Sequence, residues 1–171
     1  MARRLIIAPE RVRRMLARLA YEIVERNRGA DTIELVGIRR RGAALASWLA
    51  AEIGRIQNRE MVVHELDVSM YRDDRPSDDG GVDTSEIRSD ITDRDVVLVD
   101  DVLFTGRTAR AALDALVHYG RPRSIQLVVL VDRGHREYPI QPDYVGRFLQ
   151  TKHKERISVD VEGEMGIYIE E

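Results

Sequence analysis

Val96-Val97-Leu98-Val99-Asp100-Asp101-Val102-Leu103-Phe104-Thr105-Gly106-Arg107-Thr108 decides the fold class of this chain. Four aliphatic residues in succession read as a strand buried on both faces, the kind found in parallel sheets. The strand ends in two carboxylates. Thr105 to Thr108 then form a short turn that opens a helix with Ala112, Leu113, Leu116 and Val117, closed at Gly120 with Pro122 beyond. Ligand sites in open α/β sheets lie where strands end and helices begin. A helix N-terminus behind a Gly-containing turn offers N–H groups and a positive dipole end to a phosphate. Carboxylates beside it accept hydrogen bonds from vicinal hydroxyls. Phosphate at one end and a diol at the other describe a ribose 5-phosphate. The ordinary alternative is a helix cap plus a solvated turn acid, with Thr105 to Thr108 as a plain helix start.

The flanking sequence repeats the alternation. Leu5-Ile6-Ile7 reads as a short strand or arm. Pro9 starts a helix with Val12, Leu16, Leu19, Ile23 and Val24 on one face, ending near Asn27 to Gly29. Ile33 to Ile38 is a buried strand, Gly42 to Ile53 a helix, Met61 to Met70 an alternating strand, and Ile125 to Val131 another buried strand. Such alternation predicts an α/β fold with a doubly wound, mostly parallel sheet flanked by helices. A tail over 150–171 holds strand candidates at Ile157 to Val161 and Ile167 to Ile169. The whole of 1–171 reads as one domain.

Composition narrows the function. With 43% hydrophobic and 33% charged residues, and no long apolar run or signal peptide, the chain reads as cytoplasmic, with no membrane partner. The absence of cysteine fits a reducing compartment and excludes thiol catalysis and cysteine metal sites. Lys152 and Lys154 are the two lysines, so no Gly-Lys pair exists for a Walker A loop, which argues against a P-loop NTPase. A net charge of −3 means that any nucleic-acid binding must come from a local patch.

The motif segment resembles the phosphoribosyl pyrophosphate (PRPP) signature of type I phosphoribosyltransferases, in which apolar residues precede an acidic pair and a T-G-x-T loop. Tyr21 to Gly29, Val36 to Gly42, Met70 to Asp74 and Val131 to Glu137 are similar to blocks of the PyrR family. That resemblance covers roughly Leu5 to Phe148. It implies a type I phosphoribosyltransferase fold and transfer of uracil to PRPP, giving UMP and pyrophosphate. It also implies control of pyrimidine operons through an mRNA hairpin, Mg²⁺ carried with PRPP rather than by direct protein ligands, and a homodimer or homotetramer. An RNA-binding regulator whose site serves as a nucleotide sensor, or a phosphoribosyltransferase for another base, stays open.

The resemblance also assigns residues. Asp100 and Asp101 bind the ribose hydroxyls. Neighbouring strand residues point to opposite faces, so both reach one sugar only if the strand has curled. Val102, Leu103, Phe104, Thr105, Gly106, Arg107 and Thr108 form the substrate-binding turn, with the 5-phosphate over its end. Arg39, Arg40 and Arg41 stand at a helix N-terminus, where cations oppose the dipole; a bound pyrophosphate would offset both. Arg41 is the catalytic candidate there, since the family usually carries threonine where Arg40 stands. Residues 72–90 read as a lid with Tyr71 and Arg72 at its hinge. Val131, Asp132 and Arg133 face the base through backbone groups, while His135 reads as structural. Arg14 and Arg18, in an arginine-rich first helix, are the RNA-binding candidates, although Ala17 and Tyr21 depart from the polar residues expected there.

Overall fold

The computed structural model describes residues 2–74 and 81–171. Its centre is a five-stranded parallel sheet in the order β3-β2-β4-β5-β6. The strands are β2 (Ile33–Ile38), β3 (Val63–Leu66), β4 (Asp95–Leu103), β5 (Ser124–Asp132) and β6 (Tyr144–Phe148). A second, antiparallel sheet joins the two ends of the chain: β1 (Arg3–Ile7), β8 (Ile167–Glu170) and β7 (Arg156–Val159).

Both faces of the central sheet are covered, which is why its middle strands are continuously apolar. Helix α1 (Pro9–Asn27) and α2 (Arg41–Gln57) bury Leu16, Leu19, Ile23, Leu45, Leu49 and Ile53 against Leu35, Val97, Val99 and Leu130. Ile7, Ile157, Val159 and Ile167 of the terminal sheet join the same core. On the other face α3 (Arg107–Leu116) packs Ala111, Ala112, Ala115 and Leu116 against Val36, Val96, Leu98 and Val129. Pro9 occupies the first turn of α1, where its missing N–H costs nothing, and Arg28 ends that helix in a left-handed conformation.

Several boundaries differ from expectation. The strand over Met61 to Met70 shortens to Val63–Leu66, and Ser69–Tyr71 form a 3₁₀ turn, because Asp67 turns its carboxylate onto Ser69 and Thr84. Strand β4 does not stop at the carboxylates but runs to Leu103, paired with β5 through Val102↔Val131 and Leu103↔Asp132. Helix α3 ends at Leu116 with Val117 as its cap, three residues before Gly120. Strand β6 has no counterpart among the expected strands; Gly146 interrupts its pattern because Met15 and the Leu130 carbonyl leave no room for a Cβ. Residues 75–80 of the expected lid lie outside the described residues.

Candidate functional site

The C-terminal end of β4 opens into a cleft of about 650 Å³ between the central sheet and the terminal sheet. Arg39, Arg40 and Arg41 line one side, Asp100, Asp101 and Val102 the floor, and Arg72 and Thr108 the side towards α3. Three segments distant in sequence therefore converge, as expected at the carboxyl edge of a parallel sheet.

Both carboxylates reach the one cleft. Asp100 accepts the Asp101 N–H at 2.9 Å, and Asp101 accepts the Val102 N–H at 2.8 Å. Each side chain thus accepts the N–H of the residue that follows it, and the Asp100 and Asp101 carboxyls also meet each other. Loss of solvation and the adjoining Asp101 carboxylate push the Asp100 carboxyl well above the usual range, against a smaller opposing pull from Arg72. The nearest cation to Asp101 is Arg41, Nη1 to Oδ2 at 3.8 Å, a loose pair. Half-buried negative charge without close compensation suits donors from a diol, or a cation brought in with the substrate.

The turn before α3 has the geometry of an anion cradle. Gly106 is left-handed, with φ of 90°, and stands at the N-cap. The first intrahelical bond is made by Arg110 N–H to the Gly106 carbonyl at 2.9 Å; the N–H groups of Thr108 and Ala109 precede it. Thr105 Oγ1 accepts the Arg107 N–H at 3.3 Å. Arg72 donates to Thr108 Oγ1 at 3.3 Å, which puts its guanidinium beside the turn. Tyr71 stacks on His118, ring centroids 5.4 Å apart.

The three arginines divide their work. Arg39 is committed to Glu65 at 2.9 Å, Glu86 at 3.2 Å and Thr84 at 3.0 Å. Arg40 and Arg41 are exposed on the cleft wall.

Other assigned residues stand apart from this cleft. Val131 is fully buried, and Asp132 holds Arg136 at 2.5 Å. Arg133 lies under Phe104, its guanidinium 3.9 Å from the ring centre, and donates to Thr151 Oγ1 and the Lys152 carbonyl. His135 sits on the Thr151 carbonyl at 2.7 Å. These residues brace the loop after β5, and Leu103 is buried beneath it. The Arg107 side chain turns out of the cradle towards Asp73 and Glu137.

Sequence reasoning missed the contribution of the chain ends. Arg3, Val159, Asp160, Val161 and Glu162 form the wall opposite α2. No local motif marks them; only the pairing of β1 with β8 and of β7 with β8 carries them there.

Among the described residues no group of three or more His, Asp or Glu side chains is placed to hold an ion. Two adjacent carboxylates at the mouth of an anion cradle do suit Mg²⁺ that arrives on phosphate oxygens and keeps several waters. No helix of the described residues is long and apolar enough to cross a membrane.

Known proteins share the sequence and the fold of this chain. The model of the phosphoribosyl transferase domain matches residues 8–161. The bifunctional protein PyrR of Bacillus cereus is 52% identical over 161 residues, covering 92% of this chain and 89% of the relative. PyrR of Bacillus anthracis matches with the same figures. A Staphylococcus aureus hypoxanthine phosphoribosyltransferase superposes with a TM-score of 0.68 over 87% of this chain and 79% of its own, at 22% identity. For a Trypanosoma cruzi hypoxanthine phosphoribosyltransferase the TM-score is 0.70 over 85% and 80%, at 21% identity. Those two likenesses speak for the fold alone.

Proposed function

The chain belongs to the phosphoribosyl transferase domain family and, within it, to the bifunctional PyrR proteins, and from that premise we propose a uracil phosphoribosyltransferase that also regulates pyrimidine operons. Uracil and PRPP give UMP and pyrophosphate, and uridine nucleotide in the same cleft controls binding to operon mRNA.

The observation that carries the reading is the meeting of Asp100, Asp101, Arg41 and Thr108 around one cleft. In this reading the 5-phosphate lies over the Thr105–Thr108 turn, and the ribose hydroxyls donate to Asp100 and Asp101. Arg40 and Arg41 face the pyrophosphate. The two reactants are held in one geometry, which removes the entropic cost of their encounter. As the bond to the anomeric carbon breaks, charge grows on the pyrophosphate, and guanidinium groups already in place stabilise it without reorganisation. The Asp pair accepts from the ribose hydroxyls on the side of the sugar where complementary cationic character develops. Mg²⁺, carried on PRPP, would supply further neutralisation of the departing pyrophosphate; Asp100 and Asp101 are the residues fit to meet it. No protein nucleophile is required, which agrees with a chain free of cysteine.

The test is a PRPP-dependent assay across uracil, orotate, hypoxanthine and adenine, paired with an RNA gel shift with and without UMP. Turnover with uracil alone and a UMP-enhanced shift are the expected results. Turnover with a purine instead would reassign the base. A shift without turnover would make the cleft a nucleotide sensor.

A further inference from the structure

Three segments meet at the side chain of Arg107, outside the phosphate cradle. Its Nε donates to Glu137 Oε2 at 2.7 Å. Its Nη1 donates to Asp73 Oδ2 at 2.8 Å and to the Tyr138 hydroxyl at 3.0 Å. Tyr138 in turn donates its hydroxyl proton to Asp73 Oδ2 at 2.8 Å. The backbone closes the same ring: the Glu137 and Tyr138 N–H groups both donate to the Thr105 carbonyl, at 2.9 and 3.0 Å. A Cβ on Gly106 would lie 3.4 Å from the Cβ of Tyr138, so the turn and the loop after β5 are already in contact.

We propose that Asp73, Arg107 and Tyr138 form a clamp that sets Arg72 over the cleft and keeps the Thr105–Thr108 turn in its phosphate-binding shape. The inference rests on PRPP being the ligand of the cleft. It makes Arg107 a positioning residue that acts through its neighbours, not a phosphate ligand. Arg72 is the residue next to Asp73, and its guanidinium reaches Thr108 Oγ1 at 3.3 Å. The same guanidinium donates to Asp74 at 2.9 and 2.8 Å, so fixing Asp73 fixes the segment that carries both this cation and its partner. The Arg110 Nη2 bond to the Tyr71 carbonyl at 3.0 Å holds the same segment from its other side. A guanidinium is suited to this task because its planar fork fixes the directions of its donors, which the rotatable ammonium of a lysine does not. Partly exposed ion pairs add little to fold stability, so the clamp is expected to act on ligand geometry and leave the melting temperature nearly unchanged.

Asp73→Asn and Tyr138→Phe are the deciding variants, since neither residue touches the cleft. Each is expected to raise KM for PRPP roughly three- to tenfold, with kcat and KM for uracil close to wild type. The double variant should lose no more than the worse single one, because members of a unit are not additive. Arg107→Lys should recover part of the loss of Arg107→Ala. Unchanged KM for PRPP in both deciding variants, or fully additive losses, would overturn the clamp. So would a large Arg107→Ala effect with none from Asp73→Asn and Tyr138→Phe, which would make Arg107 a phosphate ligand. Amide hydrogen exchange of Tyr71, Arg107, Glu137 and Tyr138 in the ligand-free protein supplies a second arm. Exchange should quicken at these positions in both variants. If the wild-type protein turns over no base with PRPP, the proposed reaction fails while the exchange arm still decides the clamp: unchanged exchange overturns it.

Discussion

The backbone of Gly42 lies against that of Val99 so closely that a Cβ at Gly42 would stand 2.3 Å from the Val99 carbonyl oxygen and 3.2 Å from the Asp100 Cα. The start of α2 is therefore seated on the strand that carries the acidic pair. Gly37 permits the same approach from β2, where a Cβ would fall 2.4 Å from the Cα of Ala43. These two contacts put Arg40 and Arg41 across the cleft from Asp100 and Asp101. A methyl group at Gly42 meets only backbone, which has nowhere to go. Gly42→Ala should cost about 1–3 kcal/mol of stability by overpacking, and should lower PRPP turnover as the arginine turn is pushed off β4. Thermal melts and steady-state kinetics check this; wild-type values for both would show that the two backbones separate freely.

Asp100→Asn and Asp101→Asn should each lower turnover on the order of 10²–10³-fold, since each replaces a preorganised carboxylate beside developing positive charge by a neutral amide. The fold should survive, because asparagine keeps an acceptor for the next residue's N–H. Near-normal steady-state kinetics for both variants would overturn the diol assignment.

Arg41→Ala should weaken PRPP and pyrophosphate far more than UMP, which has no pyrophosphate to lose. Calorimetric titration with each ligand separately makes the comparison. Equal losses for all three would place Arg41 at the 5-phosphate or in support of the fold.

The acid response should depend on Asp95, at the start of β4. Its carboxylate accepts Arg123 at 2.5 Å, Ser124 Oγ at 2.7 Å and Thr32 Oγ1 at 2.7 Å. The Arg123 bond, opposed by burial and aided by the two hydroxyls, holds the carboxyl far below its usual range. A group depressed in the folded state stabilises fully above its unfolded pKa of about 3.9, and this stabilisation fades as pH falls below it. Asp95→Asn should therefore melt at a lower temperature than wild type at pH 7, with the gap narrowing below about pH 4. A gap that stays constant down to pH 2 would assign the effect to packing.

How much of this was legible in the sequence follows from how local each signal is. The β4 motif, Pro9, and the apolar faces of α1 and α2 are local patterns, and the elements stand where those patterns put them. The Asp pair and the Thr105–Thr108 turn are likewise local, and Asp100, Asp101 and Thr108 line one cleft. Contributions that depend on pairing could not. Asp160 and Glu162 reach the cleft only through the antiparallel ladder between β7 and β8, and nothing in their own sequence carries chemistry. Strand β6 is short, and Gly146 breaks its alternation. Side-chain direction was also beyond reach: Arg107 sits inside the motif, yet its partners Asp73 and Tyr138 are more than thirty residues away on either side.

The same distinction bears on RNA binding. Arg14 and Arg18 share a face of α1, but the structure employs them differently. Arg18 donates to Glu22 at 2.7 Å and to the Val145 and Gly146 carbonyls at 3.2 and 2.6 Å, so it ties α1 to the edge strand β6. Arg14 is exposed beside it. Phosphate contacts release counterions, giving a log–log salt slope of about 0.7–0.9 per contact. If this face meets an mRNA hairpin, Arg14→Ala should weaken UMP-enhanced binding several-fold and reduce the slope by about one contact. Arg18→Ala should weaken binding too, but with a lower melting temperature, because the β6 carbonyls lose their donor. Filter binding across a salt series, with melts of the same proteins, separates the two effects. Salt-insensitive binding, or an unchanged slope in Arg14→Ala, would mean that the arginines of α1 form only a solvated helix face, and RNA contact would have to be sought on another surface.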